Sequence, residues 1–393
     1  MKIERIILFT KGIETLSFFS EQLGKTFSKL GYEVFYFDQC KSYDSLAELL
    51  LFAKPEATAA VTFNFDGCCG EEYFIDCKGI HLFDDRKIPV INIVVDHPFY
   101  YHKFLPKDYC QISIDREHEA YLQYYFPEIK RGLFLPLAGT SLWEEDTLPK
   151  WEERPYDVVF TGNYTPLSKF EPTIERHGKE YADFYYGIIE DFKKHPHQGM
   201  DIGIREHLLS EVEDITEDGV KEMMPNMIMI DLYVRNYFRG KVVQTLVDAG
   251  VSVHCFGAGW EFLPCEHPEN LIKEGGVDSL ACLQALSKAK VSLNVMPWFK
   301  DGAHDRVFNS MLNGAVCFTD WSRYLTENLR DGEDIFFYEL DALECLPDMV
   351  QGILENRKKW EHMQKAAYET AEKSHTWEHR AGAVHKEILS KIR

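Results

Sequence analysis

A glycine loop with two cationic side chains is the part of this sequence best suited to chemistry. Gly302, His304 and Arg306 follow an apolar run and precede a stretch with helical spacing. Such a loop, between a parallel strand and a helix N-terminus, is where α/β folds bind phosphate groups. Arg306 offers a planar fork that matches a phosphate, and His304 offers a second donor. The segment predicts an anion site; the alternative is a surface loop in which Arg306 pairs with Asp301 or Asp305.

Alternating strand and helix patterns must position this loop. Short apolar runs without polar alternation, typical of buried parallel strands, recur along the chain between stretches with helical spacing. The alternation breaks near 137–155, where prolines, a glycine and mixed charges indicate a linker. We therefore predict an α/β protein with two Rossmann-like domains, at 1–140 and 156–350, followed by C-terminal helices over 351–393.

An acidic and aromatic stretch interrupts the second domain. Residues 165–230 show helical spacing, and acidic side chains outnumber basic ones between Arg205 and Glu222. We interpret this stretch as a helical insertion. Its acidic side chains form either a solvated face or a surface for a partner or acceptor.

Composition excludes several classes of protein. The 393 residues carry a net charge of −21, which would repel a phosphate backbone or an anionic membrane, so we expect no nucleic-acid partner. No apolar run approaches the roughly 20 residues that span a bilayer, and the charged N-terminus does not resemble a secretion signal. Ten cysteines without C-x-x-C pairs are typical of reduced thiols. We expect a cytoplasmic protein with no transmembrane segment.

The common cofactor and metal motifs do not fit. The Gly257-Ala258-Gly259 loop follows a strand pattern, but Phe262 occupies the sixth position of a dinucleotide fingerprint, where glycine or alanine is needed. No phosphate-binding P-loop motif occurs. Cys265 and His267 have neither the spacing nor the number of ligands of a zinc site. We expect no bound cofactor and no metal.

Over residues 156–340 the sequence resembles the C-terminal half of GT-B glycosyltransferases, and most closely the group related to the spore maturation protein CgeB. Several features of that group occur here in order: the strand Val158–Thr161 with Gly162, the helix from Arg239 leading to Gly257, Ser287-Lys288 with Leu293-Asn294, and Arg306-Val307-Phe308 with Gly314-Ala315. The resemblance implies a nucleotide-diphosphate sugar as donor. Its diphosphate would lie near Gly302, His304 and Arg306, with Gly162, Arg239, Gly257 and Asn294 also on the donor side.

One position departs from the pattern of that fold. Many retaining GT-B enzymes have two glutamates separated by seven residues around this loop, the second of which holds the ribose of the donor. Here Asp301 and Asn309 occupy those positions. Asn309 can hydrogen-bond a ribose hydroxyl, but it lacks the charge that makes such a bond strong.

The N-terminal half offers a second candidate group. Asp96 and His97 follow an apolar strand pattern, and Asn64 and Asp66 end the preceding one. Asp96 or His97 can act as a general base on an acceptor hydroxyl, with substrate binding or a strand-end cap as the alternatives. Tyr100, in the aromatic run that follows, stacks either on a sugar ring or in the core.

The sequence therefore predicts a metal-independent glycosyltransferase that moves a sugar from a nucleotide-diphosphate sugar to a hydroxyl of a glycan or protein. The acceptor would bind on the side of the first domain, since the resemblance implies a cleft between the two. Two alternatives stay open: a nucleotide-sugar epimerase of the same fold, and a non-catalytic protein that binds sugars or a partner.

Overall fold

The computed structural model describes residues 2–68, 70–101 and 109–392. The chain divides into two compact units, one formed by Met1–Ala138 with Ser374–Arg393 and the other by Gly139–Lys373. The residues of the predicted linker thus lie mainly in the second unit, and the last twenty residues join the first.

The described residues contain twelve strands and fifteen α-helices. The strands are β1 (Arg5–Thr10), β2 (Glu33–Asp38), β3 (Thr58–Phe63), β4 (Val90–Val94), β5 (Tyr109–Ser113), β6 (Lys130–Phe134), β7 (Tyr156–Thr161), β8 (Val253–Phe256), β9 (Leu271–Gly275), β10 (Ala289–Asn294), β11 (Val316–Asp320) and β12 (Phe336–Tyr338). The helices are α1 (Glu14–Lys29), α2 (Ser42–Phe52), α3 (Leu82–Asp85), α4 (Arg116–Tyr125), α5 (Glu171–Glu175), α6 (Lys179–Lys194), α7 (Met200–Glu211), α8 (Glu217–Met223), α9 (Ile228–Asp248), α10 (Ser279–Ser287), α11 (Asp305–Leu312), α12 (Arg323–Asn328), α13 (Leu346–Leu354), α14 (Arg357–Ser374) and α15 (Trp377–Glu387).

Each unit contains one parallel sheet of six strands. The order is β2-β1-β3-β4-β5-β6 in the first unit and β12-β11-β10-β7-β8-β9 in the second. The central strands are buried, as continuous apolar runs require of parallel strands covered on both faces. The predicted α/β class with two Rossmann-like domains is therefore confirmed, and α5 to α8 form the predicted helical insertion.

The order of the strands reverses once in each sheet. In the first unit the chain turns from β2 to β3 on the other side of β1, so the reversal lies between β1 and β3. In the second unit it lies between β7 and β10. Ligands of open α/β sheets bind outside the carboxyl ends of the strands at such a reversal. Within the described part of the chain, no helix is long and apolar enough to cross a membrane.

Candidate functional site

The reversal point of the second sheet lies between two polar strand ends. Strand β7 ends at Thr161 and continues into Gly162, and its neighbour β10 ends at Asn294. Helix α11, which follows β10, begins at Asp305 and places Arg306 in its first turn. The predicted anion loop thus lies at the place where this fold binds ligands.

Arg306 joins the two strands across the reversal. Its Nε donates to Thr161 Oγ1 at 3.2 Å and its Nη1 to Asn294 Oδ1 at 2.8 Å. Its guanidinium also lies 5.2 Å from the ring centre of Phe160, a cation–π contact. All three partners are neutral, so they orient the guanidinium without neutralising its charge.

The alternative in which Arg306 pairs with a neighbouring aspartate is not observed. Across residues 2–68, 70–101 and 109–392 no ion pair involves Arg306, and Asp301 instead accepts from Arg323 Nη1 at 2.9 Å. Asp305 accepts from Asn309 Nδ2 at 2.8 Å. Burial raises the pKa of Asp305, and the charge of Arg306 opposes this shift only in part. Arg306 is thus held by neutral partners and forms no salt bridge within the described residues.

Two glycine loops meet beside this arginine. A Cβ atom at Gly257 would overlap the carbonyl oxygen of Gly162, and a Cβ at Gly162 would lie 3.1 Å from Arg306 Nη2. Gly257 therefore cannot carry a side chain unless the backbone shifts, and a side chain at Gly162 would crowd the guanidinium. Glycine at 257 thus allows the loops after β7 and β8 to approach each other.

Hydrogen bonds fix the loop after β7. Asn163 Oδ1 accepts from the backbone N–H of Ala258 at 2.9 Å, and Trp260 Nε1 donates to the carbonyl of Gly162 at 2.8 Å. Arg239, a predicted donor-side residue on α9, donates from Nη1 to the carbonyl of Asn163 at 3.1 Å. Arg239 therefore supports the loop that lies beside Arg306.

The other two predicted loop residues lie just before α11. Gly302 is buried, and its carbonyl accepts from Ser322 Oγ at 2.6 Å. His304 is the residue that precedes the first turn of α11, and its ring packs edge-on against Phe299 with centroids 4.4 Å apart. The structure therefore brings His304 and Arg306 together at one helix N-terminus.

Asn309, the predicted ribose contact, already has partners at both ends of its amide. Its Oδ1 accepts from the backbone N–H of Thr140 at 2.8 Å, and its Nδ2 donates to Asp305 Oδ2 at 2.8 Å. The side chain is buried. Its ribose role stays a prediction, and these contacts favour a structural role instead.

A buried polar network lies beneath Arg306 and was missed by the sequence reasoning. Asn294 Nδ2 donates to Thr319 Oγ1 at 2.8 Å, and Tyr338 donates to the Asn294 carbonyl at 2.6 Å. Asp320, at the end of β11, accepts from the backbone N–H of Met296 at 2.8 Å. Burial raises the pKa of Asp320 to about 6. The signal available in the sequence was a polar residue at the end of each of three strands that become neighbours.

In the first unit, Asp96 and His97 differ in accessibility. Asp96 is half-buried, and its Oδ2 accepts from Asn64 Nδ2 at 2.9 Å. His97 is buried, and its ring contacts those of Phe99, His118 and Tyr121 with centroids 4.7 to 4.8 Å apart. Of the two predicted bases, Asp96 is therefore the more exposed.

Two other predicted acceptor-side residues have structural contacts. Asp66 accepts from Gln39 Nε2 at 2.9 Å and from the backbone N–H of Ile13, which precedes helix α1. Burial raises the pKa of Asp66. The ring of Tyr100 packs on Phe99 with centroids 4.4 Å apart. The geometry favours a helix cap for Asp66, and Tyr100 is only half-buried, so its predicted contact with a sugar stays a prediction.

One protein family matches the C-terminal part of the chain. Residues 239–386 match the family described as "Glycosyl transferase-like". Among curated proteins, none matches the sequence significantly.

Solved structures share the architecture over nearly the whole chain. An α-glucosyltransferase in complex with UDP and a 13-mer DNA is 11% identical, with a TM-score of 0.59 and 100% of both chains covered. HepE from Anabaena, in complex with UDP-glucose, is 8% identical, with a TM-score of 0.53 and coverage of 97% of this chain and 98% of that one. Sucrose-phosphate synthase from Thermosynechococcus elongatus is 10% identical, with a TM-score of 0.50 and coverage of 99% and 100%. At such low identity these likenesses show the fold alone.

Proposed function

We propose that this chain, which shares the GT-B fold, is a glycosyltransferase that transfers a sugar from a nucleoside diphosphate sugar to an acceptor hydroxyl, as the family match over 239–386 supports. The observation that carries the proposal is Arg306 at the reversal point of the second sheet, held by Thr161 and Asn294 with no carboxylate partner among the described residues. A guanidinium in this position matches the geometry and the charge of a diphosphate.

The chemistry proposed for the second unit is stabilisation of the leaving diphosphate. Negative charge develops on that group as the bond to the sugar breaks, and donors fixed in advance lower the barrier. Arg306 and the N-terminus of α11 supply such donors. We therefore propose a reaction that needs no metal at the diphosphate.

The proposed base is Asp96 in the first unit. Its carboxylate is half-buried and keeps one oxygen oriented by Asn64, so the group has a fixed position and access to solvent. A carboxylate of this kind can take the proton of an acceptor hydroxyl. The burial of His97 among aromatic rings supports Asp96 over His97 in this role.

The finer parts of the proposal rest on the sequence. The features shared with the CgeB-like group support membership of that group. The net charge of −21 supports a glycan or protein acceptor over nucleic acid, and the acidic helices α7 and α8 are proposed as its docking surface. The absence of C-x-x-C pairs supports a cytoplasmic location.

A non-catalytic binding protein is the second candidate, and Asn309 favours it. The residue at the ribose position is neutral, and both ends of its amide are bonded within the chain. Such a protein would bind nucleoside diphosphates without turning over the sugar. Release of nucleoside diphosphate from a nucleotide sugar in the presence of acceptor separates the two candidates.

The substitution Arg306→Ala tests the donor site directly. Because a charge-assisted hydrogen bond contributes roughly 1.5–3 kcal/mol, affinity for a nucleoside diphosphate should fall about 10- to 150-fold. A thermal-shift screen with UDP, GDP, dTDP and CMP first identifies the nucleotides that bind. Isothermal titration calorimetry with UDP, GDP and dTDP then measures the affinity of wild type and variant. Affinity for the uncharged nucleoside should change much less.

The matched control is Arg357→Ala, which removes a surface arginine of the same unit paired with Glu361 at 2.7 Å. It should leave nucleotide affinity unchanged. Unaltered affinity in Arg306→Ala, with the circular dichroism spectrum preserved, would place the donor site elsewhere.

A further inference from the structure

An imidazole and two carboxylates converge on the second unit, away from Arg306. His197 lies between α6 and α7, Glu339 directly follows β12, and Asp341 comes two residues later. Their ligand atoms all lie within 4.8 Å of one another, and each side chain is about half exposed. No sequence pattern predicts this group, because His197 is far from Glu339 and Asp341 along the chain.

The spacing of these atoms differs from that of ordinary ion pairs. His197 Nε2 lies 3.5 Å from Glu339 Oε2 and 3.4 Å from Asp341 Oδ2, too far for a good hydrogen bond to either. Other imidazole–carboxylate pairs among the described residues are separated by 2.6 to 3.3 Å. Ligand atoms of a tetrahedral zinc ion, each at about 2.0–2.2 Å, lie about 3.3–3.6 Å apart. Both distances from the imidazole therefore match the spacing of metal ligands, and the two carboxylates lie within 4.8 Å of each other.

A neighbouring tryptophan orients two of the three side chains. The indole of Trp321 stacks on the His197 ring with centroids 5.5 Å apart, and its Nε1 donates to Glu339 Oε2 at 2.9 Å. Outer contacts of this kind fix the orientation of metal ligands and raise metal affinity. Because the carboxylates are exposed, a metal ion can reach them without loss of much solvation.

We propose that His197, Glu339 and Asp341 bind a divalent transition metal of the zinc type, with water completing its coordination. The ligand set of one imidazole and two carboxylates favours such an ion over magnesium, which prefers oxygen ligands alone. The site joins the helical insertion, which carries His197, to the carboxyl edge of the sheet at β12. The carbonyl of the preceding Pro196 also accepts from Lys300 Nζ, so the insertion already contacts this edge. The role is structural and does not depend on the proposed transferase activity.

Calorimetric titration of the full chain with Zn²⁺ tests the site. Wild type should bind one more equivalent than His197→Gln, and Mg²⁺ should not compete. Since the ion binds the folded state, about 100-fold excess over Kd should raise the unfolding midpoint of wild type by a few degrees and leave that of the variant unchanged. Glu339→Gln should behave like His197→Gln, and Trp321→Phe should weaken binding about tenfold.

Two controls separate this site from other metal binding. His267→Gln removes an exposed histidine that has a single carboxylate partner at 3.2 Å, and it should bind zinc like wild type. Titration with Co²⁺ should give no thiolate charge-transfer band for the equivalent lost in His197→Gln, which excludes cysteine ligands. Equal zinc stoichiometry and affinity in wild type and in folded His197→Gln and Glu339→Gln would overturn the proposal and leave an ion-pair cluster only.

Discussion

The two reversal points of this molecule have the same topology and opposite chemistry. Between β1 and β3 of the first sheet, the carboxylate of Asp66 accepts from Gln39 and from the backbone at Ile13. Between β7 and β10 of the second sheet, Arg306 is held by neutral oxygens. The first point therefore has an anion bound to donors of its own chain, and the second has a cation with no carboxylate partner among the described residues.

Side chains of the protein fill the space around Gly12, at the reversal point of the first sheet. A Cβ at Gly12 would overlap the amide of Gln39 and lie 2.7 Å from Asp66 Oδ2. The N-terminus of α1 is thereby occupied by a side chain of the protein. The comparison predicts a ligand site at the second reversal point rather than at the first, because Arg306 has no carboxylate partner among the described residues.

The largest expected effect concerns Asp96, the half-buried carboxylate that follows β4 and accepts a hydrogen bond from Asn64. Asp96→Asn keeps an acceptor for Asn64 and removes the base, so turnover should fall about 10²- to 10⁴-fold with donor affinity intact. Steady-state kinetics with a defined acceptor measures this. Asp66→Asn is the matched control: it should lower stability and leave the turnover of the folded enzyme near normal. Near-normal turnover in Asp96→Asn would show that Asp96 is not the general base.

A methyl group at Gly257 should disturb the loops after β7 and β8 in the second unit and leave the first unit unaffected. In Gly257→Ala the new Cβ overlaps the carbonyl of Gly162, and the strain should lower the free energy of unfolding by about 1–3 kcal/mol and weaken nucleoside diphosphate binding. Chemical denaturation and calorimetry measure the two effects. Gly276→Ala, where no atom lies within 4 Å of the new Cβ, is the control and should change neither. Wild-type affinity in Gly257→Ala would show that the close approach of the two loops is not needed for binding.

The buried carboxyl beneath Arg306 predicts a dependence of stability on pH. Burial raises the pKa of Asp320 from 3.8 to about 6, so the folded state holds an additional proton between these values. Raising the pH through this window should therefore lower the free energy of unfolding, by at most about 1.4 kcal/mol per pH unit for one group. Asp320→Asn should abolish this part of the slope in denaturation curves from pH 4 to 7.

The control for that slope is Asp157→Asn, which changes a surface carboxylate paired with Lys290 at the amino end of the same sheet. It should keep the slope of the wild type. An identical slope in Asp320→Asn and wild type would mean that Asp320 titrates normally in the folded protein.

The smallest effect on ligand binding is expected at Asn309. Asn309→Ala removes the hydrogen bonds to Thr140 and Asp305, so stability should fall by about 1–3 kcal/mol while nucleoside diphosphate affinity stays unchanged. Calorimetry and denaturation on the same preparation distinguish the two quantities. A clear loss of affinity for the nucleoside diphosphate, with no loss for inorganic diphosphate, would instead support the predicted ribose contact.

Much of the fold could be predicted because its signals are local. Strands β1, β3 and β7 each contain an uninterrupted apolar run, as burial on both faces of a parallel sheet demands. The loop before α11 was recognisable from glycine and cationic residues at a strand-to-helix transition. Residues 239–386 match the family described as "Glycosyl transferase-like", which agrees with the resemblance noted over 156–340.

The partners of individual side chains could not be predicted in the same way. Thr161 and Asn294 reach Arg306 because β7 and β10 are neighbours, and their adjacency follows from the order of the strands rather than from any local pattern. For the same reason the sequence did not distinguish Asp96 from the buried His97 as a base.

The sequence by itself determined the α/β class, the helical insertion and the cationic loop, because periodicity and residue type act over a few neighbouring positions. Only the tertiary structure decided which polar groups meet. It bonded the amide of Asn309 at both ends, placed Asp66 at the start of α1, and brought His197 to Glu339. Hydrogen bonds and metal ligation act over about 2–3 Å. Groups distant in sequence come within that range only after strand order and helix packing have fixed where each backbone segment lies.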